Sequence, residues 1–145
     1  NNGAWKRRTV LSASSNSYIV RNVKQGKKYT YKVRAYNNGI FGRFSSEKKV
    51  YRLKTLTNIR VKNTSGRRAA VLWKKKTYAT TYQVKYAANP SFNKARKVSA
   101  NKKNSRLTTK KLKKKTYYFQ IRYSYKKGGV KSWSAWSKVK KIKIR

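Results

Sequence analysis

Any catalytic chemistry in this chain has to be built from serine, threonine, tyrosine and lysine, because Glu47 is its only acidic residue and histidine and cysteine are absent. General acid–base catalysis needs a pair of carboxylates or an imidazole, and hydrolytic triads need an imidazole oriented by an acid. Neither can be assembled here. Zinc, calcium and magnesium draw their ligands from His, Cys, Asp and Glu, so no metal site and no cofactor are expected. A Ser–Lys pair is the one catalytic device left open. With both residue types abundant, their proximity carries little information, and the chain is expected not to be an enzyme.

The residues able to do something else are the basic ones. The 145 residues include 42 Lys and Arg, a net charge of +41. Lysine runs fall at Lys74, Lys75 and Lys76, at Lys110, Lys111, Lys113, Lys114 and Lys115, and at Lys126 and Lys127. A single lysine alternating with apolar residues is what the solvated face of a strand looks like, and edge lysines discourage edge-to-edge pairing. The whole is not explained that way, because such an excess of one sign destabilises a compact state by self-repulsion. Lys outnumbers Arg about two to one, favouring point-charge contact with phosphate over bidentate reading of bases. The expected partner is a polyanion held without sequence preference, either nucleic acid, acidic polysaccharide or an anionic cell-wall polymer, with an acidic protein surface as the alternative. A dedicated nucleic-acid-binding protein is the rival reading that rests on charge alone.

These side chains must be carried by a folded scaffold. At 37% hydrophobic and 14% aromatic residues, the chain is too rich in Trp and Tyr for a disordered basic tail. It contains no apolar run near the roughly 20 residues of a membrane-spanning helix. It also lacks Met, even at position 1, so a processed product or a piece of something longer is expected.

Internal repetition sets the organisation. Arg8-Thr9-Val10 followed by Asn16-Ser17 recurs as Arg96-Lys97-Val98 followed by Asn104-Ser105. Tyr29, Tyr31 and Val33 recur as Tyr117, Phe119 and Ile121, and Phe44-Ser45 and Val50 as Trp136-Ser137 and Ile142. Thr55 to Ser91 has no upstream counterpart. Residues 1–53 therefore read as the C-terminal half of a module and 54–145 as a complete one. The period-two alternation predicts strands at Thr57–Lys62, Ala69–Lys75, Tyr82–Ala87, Arg96–Ala100, Arg106–Thr109, Thr116–Tyr125 and Trp136–Ile144. Lys126-Lys127-Gly128-Gly129 is a hairpin signal. Seven short strands without a helical period predict an all-β, immunoglobulin-like sandwich, with Trp73, Tyr117, Phe119 and Ile121 in its core.

The landmarks Val71-Leu72-Trp73, Tyr82-Gln83-Val84-Lys85-Tyr86, Asn89-Pro90-Ser91-Phe92, Leu112, Tyr117 and Ser134-Ala135-Trp136-Ser137 together resemble the fibronectin type III domains of secreted and surface proteins of Gram-positive bacteria. The first copy resembles them through Val23, Tyr29, Ala35 and Ser45. The resemblance implies tandem fibronectin type III modules and an extracellular, cell-surface or cell-wall location. It also implies a role as spacer, adhesive module or accessory to an enzyme, and a tyrosine corner at Tyr29 and Tyr117. Trp133-Ser134-Ala135-Trp136-Ser137 matches the WSxWS box of cytokine-receptor fibronectin domains, in which indoles stack between cations. Trp133 and Trp136 with Arg122 and Lys138 are the expected ladder, structural rather than a ligand platform. The absence of Cys argues against a cytokine receptor, whose domains carry disulfides.

The incomplete copy presents a conflict. Tyr29, Tyr31, Val33 and Val50 should face inward with no opposing sheet, and burying such side chains contributes roughly 1.5–3 kcal/mol each. The missing strands are expected from a preceding segment or from a neighbouring copy, making self-assembly through this half-module a possible partner interaction.

Overall fold

Alternation of buried and less buried residues builds the longest regular elements, Thr81–Ala87 and Thr116–Lys127. The computed structural model describes residues 4–6 and 8–145, so the opening residues of the first repeat lie outside it. Among the described residues there is no helix, and none long and apolar enough to cross a membrane. The strands are β1 (Lys28–Tyr31), β2 (Tyr36–Asn37), β3 (Ile40–Phe41), β4 (Lys48–Tyr51), β5 (Arg60–Thr64), β6 (Arg68–Leu72), β7 (Thr81–Ala87), β8 (Arg96–Asn101), β9 (Arg106–Thr108), β10 (Thr116–Lys127), β11 (Val130–Trp133) and β12 (Lys140–Lys143).

The second copy is a two-layer sandwich. One antiparallel sheet runs β5-β6-β9, and the other runs β8-β7-β10 with β11 and β12 sharing the far edge of β10. Between them lie Ile59, Val71, Trp73, Tyr82, Val84, Phe119, Ile121 and Tyr123. Trp73 sits there as expected, 5% exposed, with its ring 5.1 Å from that of Tyr82. The all-β, immunoglobulin-like architecture is the one that the alternation predicts.

Four details differ from the sequence expectation. The first strand begins at Arg60 rather than Thr57, because Asn58 has φ +56° and breaks the extended backbone. The second ends at Leu72, although the Trp73 N–H still donates to the Ser105 carbonyl at 3.0 Å. The last strand is not continuous over Trp136–Ile144. Only β12, over Lys140–Lys143, is regular within it, and a separate strand β11, over Val130–Trp133, precedes it across an irregular stretch described below. Tyr117 is only partly buried, packing against the core edge-on to Tyr86.

The tyrosine corner forms at Tyr29, whose hydroxyl accepts the Lys24 N–H at 2.8 Å. Among the described residues Tyr117 makes no such bond. The two turns explain the difference. The first copy reaches Tyr29 through Gly26 at φ +77°, bonded to the Arg52 carbonyl. The second copy has only Lys113, Lys114 and Lys115 there, and a left-handed conformation is unfavourable for a residue with a Cβ. Tyr82 makes a comparable bond at the other end of the sandwich, accepting the Lys76 N–H at 2.7 Å.

In the first copy β1 pairs only with β4, and a separate hairpin joins β2 to β3. Its loop is Asn38-Gly39, both at positive φ, like Gly128-Gly129 between β10 and β11. Two-residue hairpin loops favour such residues because their backbone matches the twist of the flanking strands. The second hairpin is the longer, with four cross-strand pairs against two. Tyr51 at the end of β4 donates its N–H to Ser132 Oγ at 2.8 Å and packs edge-on against Tyr125. Leu53 then enters the core of the second copy.

Candidate functional site

The irregular stretch between β11 and β12 owes its shape to two buried serines. Ser134 Oγ accepts the Tyr123 N–H at 3.2 Å and donates to the Ala135 carbonyl at 3.0 Å. Ser137 Oγ accepts the Ile121 N–H at 3.1 Å and donates to the Lys138 carbonyl at 3.0 Å. The backbone N–H groups of Ser134 and Ser137 meanwhile donate to the carbonyls of Tyr123 and Ile121, each at 2.9 Å. A hydroxyl thus stands in the ladder where a backbone carbonyl would be. The buried N–H groups stay satisfied, as they must. The chain advances three residues between these rungs, not two, so Trp133 and Trp136 emerge on the same outer face.

On that face cations and rings alternate. The Arg122 guanidinium lies 4.4 Å from the ring centres of both Trp133 and Trp136. Lys85 Nζ lies 4.6 Å from Trp136 and 4.3 Å from Phe92, while Lys131 Nζ lies 5.1 Å from Trp133. Gln83 fixes Arg122, its Oε1 accepting from Nε at 3.0 Å and Nη2 at 2.7 Å. Each cation–ring contact contributes about 0.5–1 kcal/mol at an exposed site.

Arg122, Trp133 and Trp136 therefore form the expected ladder, but Lys138 does not join it. Lys138 is exposed and stacks on neither indole. The serine-bonded detour carries it out of line, and Lys85 comes from the neighbouring strand β7 instead. Burial lowers the Lys85 pKa from its ordinary value, with further lowering by the charges of Lys97 and Arg122. Burial alone lowers that of Arg122. The ladder is a crowded cationic face whose rings are already engaged by the protein's own side chains.

The first copy builds the same device from different residues. Val33 donates its N–H to Ser45 Oγ at 3.1 Å and accepts the Ser45 N–H at 2.7 Å, reproducing the Ile121–Ser137 rung. Gly42 donates to the Ala35 carbonyl at 3.1 Å, as Ser134 does to that of Tyr123. Phe41-Gly42-Arg43-Phe44-Ser45 is thus the structural equivalent of Trp133-Ser134-Ala135-Trp136-Ser137. Arg34 lies 3.8 Å from Phe41 and 4.5 Å from Phe44, and Lys32 lies 4.2 Å from both Phe44 and Trp5. Sequence comparison finds the Phe44-Ser45 match, while Lys32, Arg34, Phe41, Trp5, Lys85, Phe92 and Lys131 escape it. The Phe41-Gly42 pair could have been found by allowing for the shorter hairpin. Lys85 could not, since its ring partners lie on other strands.

The lysine runs do not converge on one patch. Lys74, Lys75 and Lys76 follow β6 on the way to β7, at the end where Thr81 pairs with Ser124 and where Lys126 and Lys127 close β10. Lys110, Lys111, Lys113, Lys114 and Lys115 lie between β9 and β10, at the opposite end where Ala87 pairs with Tyr118. All of these are exposed except Lys76, which is half-buried. A shallow cleft of about 430 Å³ at the seam of the two sheets brings Lys110 near Arg96 and Lys97. The one acidic residue, Glu47, is engaged by Lys49 at 3.4 Å. Among the described residues no group of three or more metal-ligating side chains comes together.

No protein-family model and no curated protein matches the sequence. Solved structures do match the fold. The FN1-FN3 domains of chicken CNTN1 superpose with a TM-score of 0.53 at 21% identity, covering 86% of this chain and 43% of that one. A two-domain fibronectin type III segment of chicken tenascin gives 0.55 at 17% identity, covering 82% and 66%. A chain of a cytokine receptor complex gives 0.55 at 16% identity, covering 79% and 66%. The chain thus spans less than half of the contactin fragment. At such identities the likeness establishes the fold, a fibronectin type III sandwich.

Proposed function

We propose that this fibronectin type III sandwich is a non-catalytic module that holds a larger secreted or surface protein to an anionic polymer through delocalised electrostatic contact. The reading rests on one observation: exposed lysine clusters occupy both ends of the sandwich and the single carboxylate is already paired. A positive field spread over two ends suits a flexible polyanion that wraps the module. It does not suit a duplex read along one groove. Teichoic acid, acidic polysaccharide and extracellular nucleic acid share the required chemistry, a repeating anionic charge. An extracellular, cell-wall location accords with the resemblance of the sequence to surface modules. The aromatic–cation ladder belongs to the scaffold, since its rings are taken.

Titration against heparin, teichoic acid and DNA over a range of salt concentrations tests this. Log affinity should fall linearly with log salt, with a slope near 0.9 per phosphate neutralised on duplex DNA. Replacing Lys74, Lys75, Lys126 and Lys127 by Gln should weaken binding and lower the slope, and so should replacing Lys110, Lys111, Lys113, Lys114 and Lys115. Neither set alone should abolish it. Affinity that survives raised salt, or that separates two DNA sequences of equal length, would refute the proposal.

A further inference from the structure

The seam between the two sheets of the second copy is open along one side. Its borders are β8 and β9, each the last strand of its sheet, and among the described residues no further strand pairs with either. Val98 pairs with the buried Val84 and so shares its core-facing side. It is nonetheless 37% exposed, because the three-residue β9 does not cover it. The cleft left there, about 430 Å³, is within the range of ligand sites, roughly 300–1,000 Å³.

Backbone pairing decides which groups reach the cleft. Successive residues of an antiparallel strand point their backbone groups to opposite edges. Ile121 exchanges its bonds with Ser137, so Gln120 and Arg122 turn theirs to β7, and Val84 and Tyr86 in turn bond Val98 and Arg96. Arg96, opposite the buried Tyr86, therefore carries its guanidinium on the core-facing side, where it lines the cleft. Lys97 does the reverse. Its side chain lies on the outer face, where its charge acts on Lys85, and its N–H points out from the free edge. Lys110, following β9, adds a cation on the other wall.

Two hydroxyls complete the lining. Thr109 stands in the ladder as Ser134 and Ser137 do, its N–H donating to the Ala69 carbonyl at 2.9 Å and its Oγ1 accepting the Ala69 N–H at 3.0 Å. The two serines donate their own protons to the Ala135 and Lys138 carbonyls. Thr109 is 4% exposed, and among the described residues its proton has no acceptor. The Tyr86 hydroxyl has no partner there either. Since the Trp73 indole N–H is the one side-chain polar atom buried without a partner, this hydroxyl reaches solvent, and Tyr86 borders the cleft. No carboxylate lines the site.

We propose that this cleft binds a tetrahedral oxyanion ester, phosphate or sulfate, carried on a sugar or polyol unit of the polymer. The Arg96 fork takes two of its oxygens. The Thr109 and Tyr86 hydroxyls and the Lys97 N–H supply donors from other directions, Lys110 adds charge, and the unit bearing the ester lies against Val98. An ester of this kind offers three oxygens to donors placed around it, whereas a carboxylate offers two in one plane. The cleft therefore selects esters over carboxylates of equal charge. The proposal rests on the polyanion reading above and adds to it one fixed point of attachment.

The test titrates the full chain with glucose-6-phosphate and, separately, glucose-6-sulfate at fixed ionic strength, following amide shifts by NMR. An ester should move the Val98, Thr109 and Lys110 amides along a saturating curve, and whichever of the two binds tighter identifies the polymer's charge. Glucose, and glucuronate, which matches the sulfate in charge, should move them about a tenth as much or less. Arg96→Lys keeps the net charge and removes the fork, so it should weaken the ester at least about fivefold. Arg60→Lys, at an exposed position of β5, should change nothing. No saturable shift, equal shifts with glucuronate, or an Arg96→Lys chain that binds as well as its parent would overturn the proposal. If heparin still binds at low salt in those cases, the delocalised reading stands alone. Cleft binding without any heparin binding would keep the site and refute that reading instead.

Discussion

At the scale of the residue, Trp73 carries an internal conflict. Its ring fills the centre of the sandwich, yet its indole N–H is the one buried side-chain polar atom among the described residues without a hydrogen-bond partner. Leaving such a donor unpaired costs about 1–3 kcal/mol, so the residue must be retained for its volume. Trp73→Ala should destabilise the protein by about 3–5 kcal/mol. Trp73→Phe, which keeps an aromatic ring and removes the orphan donor, should lose no more than about 1–2 kcal/mol by the same ledger of cavity and desolvation. Urea denaturation of both variants decides the point: equal losses would mean that the indole N–H finds a partner in solution. Tyr123 shows the opposite arrangement. Its hydroxyl donates to Tyr78 at 3.4 Å, and burial raises its pKa above the ordinary tyrosine value, helped by that bond. Above pH 10 the unfolded chain releases this proton before the folded one does, so the folded state binds more protons and stability falls with rising pH. Tyr123→Phe should lose less stability between pH 10 and 11 than the parent chain.

At the scale of the element, the hydroxyl rungs explain how one strand edge is divided without losing its hydrogen bonds. Removing either hydroxyl leaves a buried N–H on β10 unpaired. Ser134→Ala and Ser137→Ala should therefore each cost about 1–3 kcal/mol, read as a shift in denaturation midpoint without a change in slope. A loss below about 0.5 kcal/mol would show that the strand straightens and offers a carbonyl instead. The rungs also account for the ladder's choice of cations. A continuous strand would place alternate residues on the outer face, whereas the three-residue advance sets the two indoles on either side of Arg122 and leaves room for Lys85.

At the scale of the whole molecule, electrostatic repulsion dominates. Net charge of this size opposes compaction, and the ion pair of Glu47 with Lys49, about half exposed, can offset little of it. Raising salt from about 0.01 to about 1 M shortens the screening length from roughly 30 to roughly 3 Å. The melting temperature should rise by at least about 4 °C, corresponding to roughly 1 kcal/mol or more for a protein of this size. A melting temperature that falls or stays constant over that range would mean that bound counterions already neutralise the chain.

The sequence by itself determined the architecture and the net charge. Period-two alternation around Trp73, Tyr82 and Phe119 is a local signal that survives in any register, and a net charge of +41 holds wherever the basic residues lie. The repeat was legible for a related reason: Tyr29, Tyr31 and Val33 must alternate if β1 is to exist. What only the tertiary structure decided depends on neighbours distant in sequence. Lys85 rather than Lys138 completes the ladder because β7 lies against β10, and no spacing along the chain records that adjacency. Tyr117 leaves the corner to Tyr29 because its turn lacks a glycine, a consequence visible only once the backbone is placed. The lysine runs look like one property in the sequence and occupy two ends of the sandwich in space, since the direction in which β10 crosses the sheet sets where each run emerges.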